Sequence, residues 1–189
     1  MIKRNIVAAI LLSVLSAVPL CAQPAAADYP VDAITIEFVG IDAAGHKNAV
    51  HFGVHEEATY YYNYDLGEFP TPPVPMQGAF DLRLIDLPNM PRDPSDGCYL
   101  DMRKFHSIEQ TDTFQVRFQP SMDNWPMRFT WRGVKSDRFK YVDLEYETDS
   151  GMRSIDMLST GSLAIDDNKV KMLRIILNGV LVREPKVKR

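Results

Sequence analysis

The sequence predicts an all-β protein: an antiparallel two-sheet β-sandwich, immunoglobulin-like or jelly-roll-like, with one long proline-rich loop. Three observations predict it. Apolar and polar residues alternate with a period of two in segment after segment, as in residues 113–119 and 127–132. Such a pattern buries one face of a strand and leaves the other wet. The segments are short and separated by Gly, Pro, Asp and Asn, the residues that turns demand. The one helix-like stretch, residues 169–177, fits a final strand equally well through Ile175 and Ile176.

The elements follow in order. Lys3 and Arg4 make a basic start, residues 6–20 are almost wholly apolar, and small residues surround Ala22. That three-part order predicts a cleavable secretory signal over residues 1–22. A membrane anchor needs about 20 apolar residues, and this run is shorter and bounded by prolines. Cys21 raises lipid attachment, but a lipidated cysteine usually follows a small residue, and Leu20 precedes it. Ala22, Ala25, Ala26 and Ala27 all offer small residues to the peptidase. Removing 22 residues leaves 189 − 22 = 167, the size of one domain. Basic side chains fall to 21 − 2 = 19 against 25 acids. Nucleic acid is excluded as a partner, because phosphate contacts need a surplus of Lys and Arg. No second apolar stretch is long enough to span a bilayer, so the mature chain is not expected to cross a membrane.

Residues 23–32 read as a flexible Ala/Pro leader, and residues 33–178 as the β-domain. Residues 33–39 and 49–54 are strand patterns around a turn that holds Asp42, Gly45 and Asn48. Residues 56–77 differ in kind. They carry Tyr60, Tyr61, Tyr62 and Tyr64, and then four prolines in positions 70–75. Prolines so dense forbid a helix and an interior strand and favour extended polyproline geometry. This is the long ordered loop. Residues 79–85 alternate apolar and charged through Leu84, which predicts a strand with one wet face. Residues 88–97 read as a further loop. Further strands are expected at 99–103, 113–119, 127–132, 139–144, 153–157, 162–165 and 171–177. Residues 179–189 form a basic tail.

Candidate chemistry is sparse. His46, His51 and His55 lie close in sequence and are followed by Glu56 and Glu57. In a strand, residues four apart share a face but stand about 13 Å apart, too far to chelate one ion, so surface histidines are expected. Asp93 and Asp96, with Asp166 and Asp167, form acidic turns of a kind that can hold calcium. Asp also dominates ordinary turns, so no cofactor or metal is expected, with calcium the one candidate. Once Cys21 leaves with the signal, Cys98 stands alone and is expected to be a small buried hydrophobe. No Gly-x-Ser-x-Gly motif is present and no serine stands out beside a positioned histidine. No pair of carboxylates is singled out for glycoside hydrolysis. Trp131 alternates with Met127 and Phe129, which assigns it to the core. Tyr60, Tyr61, Tyr62, Tyr64 and Trp125 are the candidate ligand-binding aromatics, since three consecutive tyrosines cannot all face inward.

Phe52-Gly53, Ala58-Thr59, Asp65-Leu66-Gly67-Glu68, the prolines at 70, 72 and 73, and Phe80-Asp81-Leu82-Arg83 together carry a resemblance. With looser matches at Asp101-Met102-Arg103, Trp125-Pro126 and Ile155-Asp156-Met157-Leu158, it covers about residues 33–178. The chain resembles a β-sandwich module of exported proteins from Bacteroidetes and Chlorobi-type bacteria. That module often stands just before the sorting domain of the type IX secretion system. The few residues after Gly179 are not expected to hold such a sorting domain. The resemblance implies an extracytoplasmic, non-enzymatic domain. It also implies a structural role for Asp65, Glu68, Asp81 and Arg83: Asp65 or Glu68 bonds to Arg83, or to backbone at the loop ends, and pins the proline run. The expected function is a structural or protein-interaction module in the cell envelope or outside the cell. The alternative is a carbohydrate- or ligand-binding module that uses the exposed aromatics. A hydrolase with unidentified carboxylates stands third.

Overall fold

The computed structural model describes residues 33–59, 61–85, 97–107 and 109–180. The expected signal and leader, Tyr60, the acidic turn at Asp93 and Asp96, and residues 181–189 lie outside the described residues. Ten strands form: β1 (Ile34–Ile41), β2 (Lys47–His55), β3 (Asp81–Ile85), β4 (Leu100–Lys104), β5 (Thr111–Gln119), β6 (Met127–Arg132), β7 (Phe139–Thr148), β8 (Gly151–Asp156), β9 (Ser162–Ile165) and β10 (Met172–Val180). They make two five-stranded sheets, ordered β4-β2-β1-β6-β9 and β3-β5-β10-β7-β8. This is the two-sheet sandwich expected from the alternation. The helix-like stretch is strand β10, which reaches Val180, so the first two residues assigned to the tail belong to the sheet. Among the described residues no helix is long and apolar enough to cross a membrane.

Every ladder is antiparallel except β2 with β4. The route of the chain explains the exception. After β2 it crosses to the other sheet for β3, then returns to lie beside β2 as β4. A strand that leaves a sheet and comes back has no tight hairpin to reverse it, so it can arrive parallel. The proline-rich segment lies on the outward leg of this excursion.

Alternate residues fill the core. Ile36, Phe38, Val50, Phe52, Leu82, Leu84, Phe114, Val116, Val142, Leu144, Leu173 and Ile175 are all buried completely. Aromatic contacts tie the sheets together: Phe52 meets Phe114 at 4.8 Å between ring centroids, and Phe118 meets Phe129 edge-on at 4.9 Å. Phe38 stacks between Phe129 at 5.4 Å and Trp131 at 6.1 Å. Offset and edge-on pairs of this kind add to plain area burial. The Trp131 Nε1–H donates to the carbonyls of Met157 and Thr160, both at 3.0 Å, so its polar edge is satisfied inside. Cys98 is fully buried among the same residues, and burial pushes its thiol well above the ordinary value.

Strand β3 departs from the expected pattern. The charged face of β3 is not wet: Asp81 is 5% exposed and Arg83 2%. Alternation correctly orients their side chains away from Leu82 and Leu84, but a non-local segment covers that outer face.

Gly53 marks the tightest approach of β1 to β2. A Cβ at this position would come 1.9 Å from the Ile34 carbonyl oxygen and 3.1 Å from the Thr35 Cα. Backbone cannot yield there as a side chain can. Gly53→Ala is expected to lower stability by about 1–3 kcal/mol through overpacking, read as a lower urea midpoint with unchanged slope. An unchanged midpoint would show that the two strands separate at no cost.

Candidate functional site

The proline-rich segment is held at three points. The first is Glu68. A single 3₁₀ turn, Tyr64–Leu66, begins at Asn63, whose side-chain oxygen accepts the N–H groups of Asp65 and Leu66. Gly67 ends the turn at φ 82°, where a residue with a Cβ would be strained. Glu68 is then delivered inward, 3% exposed. Its Oε2 accepts the Asn63 N–H at 2.7 Å and its Oε1 accepts the Met102 N–H of β4 at 2.5 Å. Burial raises its pKa from 4.5 to about 7, outweighing the two N–H donors that favour the charged form; Asp101 adds to the rise and Arg103 opposes it.

The second point is Arg83. Its Nε and Nη2 donate to the two oxygens of Asp81, at 2.7 and 2.8 Å. Its Nη1 donates to Thr71 Oγ1 at 3.0 Å and to the Pro72 carbonyl at 2.8 Å. Of the two arrangements expected for Asp65 or Glu68, a bond to Arg83 or to backbone at the loop ends, the hydrogen bonds of Glu68 show the second. Residues two apart share a strand face, so Asp81 is the carboxylate within easy reach. Glu68 instead takes the backbone option, and Asp65 is exposed. The third point is Gly97. Its carbonyl accepts the Thr71 N–H at 2.8 Å, the Thr71 hydroxyl at 3.1 Å and the Tyr62 hydroxyl at 3.1 Å.

Over these supports lie the aromatics. Tyr61 and Tyr64 are each 61% exposed. Tyr64 packs on Phe69, itself 57% exposed, with centroids 5.4 Å apart and rings inclined by 47°. Tyr62 is half-buried. Phe69 was not singled out by sequence reasoning; its position just before the first proline of the run was the available signal. Trp125 is partly buried against the core, edge-on to Phe118 at 6.2 Å and beneath the Lys171 ammonium at 5.2 Å. It stands beside a different cavity from the tyrosines.

Beneath the tyrosines opens a cleft of about 170 Å³, lined by Tyr61, Tyr62, Glu68, Arg103, His106 and Asp112 among others. Arg103 is forked on Asp101, with two bonds of 2.8 Å, and its guanidinium lies 4.9 Å from the centre of the Phe114 ring. Burial raises the Asp112 carboxyl, while the Gln110 side chain donates to it and opposes the rise. Two carboxyls with raised pKa beside a cleft suit acid–base work. Both Glu68 oxygens, however, are committed to backbone N–H groups, so this carboxylate holds the loop.

The histidines divide. His55 is 4% exposed, which corrects the expectation of a surface residue: its Nδ1 accepts the Glu57 N–H at 3.0 Å and closes the turn after β2. His51 is half-buried; burial lowers its pKa and Glu37 partly offsets this. His46 has Ser121 Oγ 2.8 Å from its Nδ1, although no serine stood out in the sequence. Asp42 Oδ2 lies 3.2 Å from the same nitrogen and accepts the Ser121 hydroxyl at 2.6 Å. Nucleophile activation needs the carboxylate on the far ring nitrogen. Here serine and aspartate crowd one nitrogen, and the group clamps the β1–β2 turn to residue 121. Burial raises the Asp42 carboxyl, but donors from Ser121 and His46 outweigh it and hold the group below its ordinary value. Among the described residues no three His, Cys, Asp or Glu side chains gather as a metal site. In the turn at Asp166 and Asp167, Asp167 Oδ1 accepts the Lys169 N–H at 2.9 Å, as ordinary Asx turns do.

Comparison of the chain with protein-family models, curated proteins and solved structures returned no match.

Glu68 yields two expected outcomes. Glu68→Ala leaves the buried Met102 N–H and the part-buried Asn63 N–H without this acceptor and should cost about 1–3 kcal/mol, read as a lower Tm; an unchanged Tm would show the brace to be dispensable. The raised pKa also sets a pH dependence. The folded chain binds this proton more tightly than the unfolded chain. The linked stability is full below pH 4.5 and is lost as pH rises through about 7. Across that window denaturant midpoints should fall more steeply in the wild type than in Glu68→Gln. Parallel curves would contradict the assignment.

Proposed function

We propose that this chain is an exported, non-enzymatic β-sandwich that works as a protein-interaction module in the cell envelope or outside the cell. Tyr61, Tyr64 and Phe69 are its contact surface. One observation carries the reading: the exposed Tyr64–Phe69 pair rides on a segment anchored from below by Glu68, Thr71 and Arg83. Apolar rings left in water are costly unless a partner covers them. A contact surface that is already rigid loses little entropy when the partner arrives. Val74 and Met76 extend the exposed apolar surface along the same segment. Aliphatic and aromatic groups mixed in this way suit a protein better than a sugar.

A carbohydrate or other small ligand is the second reading. Its support is the cleft beneath Tyr61 and Tyr62, where ring faces stand beside Asp101, Arg103 and His106. It ranks second because sugar stacking favours a flat ring platform, and the Tyr64 and Phe69 rings are inclined by 47°. No metal or cofactor enters either reading.

The test is a pull-down from the envelope and extracellular fractions with the wild type and with the double variant Tyr64→Ser/Phe69→Ser. Both side chains are exposed, so the variant should keep the wild-type Tm. Capture of the wild-type partner should weaken by about thirtyfold or more, as for a hot-spot pair. Equal capture by both proteins would sink the protein reading. A thermal-shift screen against glycans covers the alternative: a rise with one glycan class, lost in Tyr61→Ala, would favour the cleft.

A further inference from the structure

Strand β8 leaves one edge of the sandwich open. A sheet edge carries unpaired N–H and C=O groups, and proteins cover, shorten or bend long edges for that reason. The other three edges of the two sheets are managed. At β3, Leu84 exchanges two backbone hydrogen bonds with Cys98, at 2.9 and 3.0 Å, and Arg83 holds the proline-rich segment alongside. At β4, Glu68 takes the Met102 N–H, and the Gln110 side chain donates to the Lys104 carbonyl at 2.8 Å. Strand β9 is only four residues long. Strand β8 is six residues long, contains no proline and pairs with β7 without a bulge. Its residues Gly151, Met152, Arg153 and Ser154 are all exposed. The Met157 N–H donates to the Val142 carbonyl at 2.8 Å, and this fixes the phase of the ladder. Ile155 and Arg153 turn their backbone groups to β7, while Met152 and Ser154 turn theirs outward. Among the described residues, no backbone hydrogen bond outside the ladders reaches Met152 or Ser154.

The side chains beside this edge select what it accepts. Asp143 and Asp156 stand directly opposite each other in the β7–β8 ladder, and like charges so placed repel. Among the described residues neither forms an ion pair with a Lys or Arg; Arg174, nearby in the ladder, goes to Glu145 at 3.6 Å. Burial, then Asp156 and Glu145, raise the Asp143 carboxyl. Glu147 adds a further acid opposite Met152, which is 55% exposed. A second copy of this chain pairing edge to edge would bring the same two aspartates again, so charge selects against it. We propose that the β8 edge is the docking site of an extended segment from a partner protein, which adds as a sixth strand to this sheet and sets a lysine or arginine over Asp156 and Asp143. The backbone groups of Met152 and Ser154 supply the new ladder, and Met152 takes an apolar side chain from the same face of the incoming strand. Strand β8 lies at the opposite side of its sheet from β3. This surface is therefore separate from the tyrosine face, and the inference stands independently of it.

Fluorescence anisotropy with the purified full-length protein tests it. The probe is a labelled octapeptide, Val-Thr-Lys-Thr-Thr-Thr-Val-Thr, whose lysine and second valine share one face of a strand. One control carries glutamate in place of the lysine. Another carries N-methyl groups on the lysine, the middle threonine of the three and the second valine. The lysine peptide should bind about tenfold or more tightly than the glutamate peptide. N-methylation removes the ladder donors and should abolish binding. Asp156→Asn should weaken the lysine peptide about fivefold or more. Ser154→Pro should keep the wild-type Tm, because the N–H it removes faces outward, and should lose the peptide. Equal binding of the lysine and glutamate peptides, undiminished binding of the N-methylated peptide, undiminished binding in Ser154→Pro, or no binding of the lysine peptide up to about 1 mM would each overturn the proposal. So would a wild-type dimer in sedimentation that Ser154→Pro abolishes, which would make a second copy the occupant. If Ser154→Pro fails to fold by circular dichroism, the N-methylated control against the wild type still decides it.

Discussion

A buried arginine holds the least regular part of this molecule in place. The proline-rich segment brings carbonyl oxygens but few N–H groups, so it cannot enter a ladder as a strand does. A guanidinium carries five donors and no acceptor, the complement of what such a segment offers. Arg83 meets Pro72 and Thr71 with one nitrogen and places its charge on Asp81 with the others. A pair this deeply buried contributes little net stability against an apolar substitute, but breaking it is costly, because a lone buried charge remains. Its effect here is positional. With the segment held over β3, Gly97 can receive Thr71 and Tyr62, and Glu68 can reach across to Met102.

That arrangement links fold to proposed function. Loops usually lose stability to gain reach, yet this one is tied down at Glu68, Thr71 and Arg83 while its rings remain in water. Glu68, with both oxygens on backbone N–H groups, serves to hold the loop. The same holds for Asp42, His46 and Ser121. Their residue types match a catalytic set, but the geometry puts both oxygens on one ring nitrogen. Residue identity proposes a reaction and distances decide whether it can occur.

The strand pattern was almost wholly legible. Period-two alternation located all ten strands, with boundaries moved by a few residues, because the inward face of each strand is set by side chains within the strand itself. The site was legible in part. The tyrosine run announced exposed rings, since consecutive side chains in an extended chain point to opposite sides. Phe69 was missed because a single aromatic beside prolines carries no periodic signal. His55 was misjudged because its burial comes from the turn after β2.

By itself, then, the sequence determined the class of fold, the faces of the strands and the place of the proline segment, all matters of local spacing. Tertiary structure decided which polar faces stay wet. Asp81 and Arg83 look like surface residues in the alternation, and became buried when a segment ten residues earlier folded over them. Arg117 looks the same in sequence, and only the register places it directly opposite Arg83 with a buried edge of its guanidinium unpaired. The physical reason is common to both. A strand's own pattern records which side its residues face, whereas covering, pairing and burying that side depend on what another part of the chain brings to it.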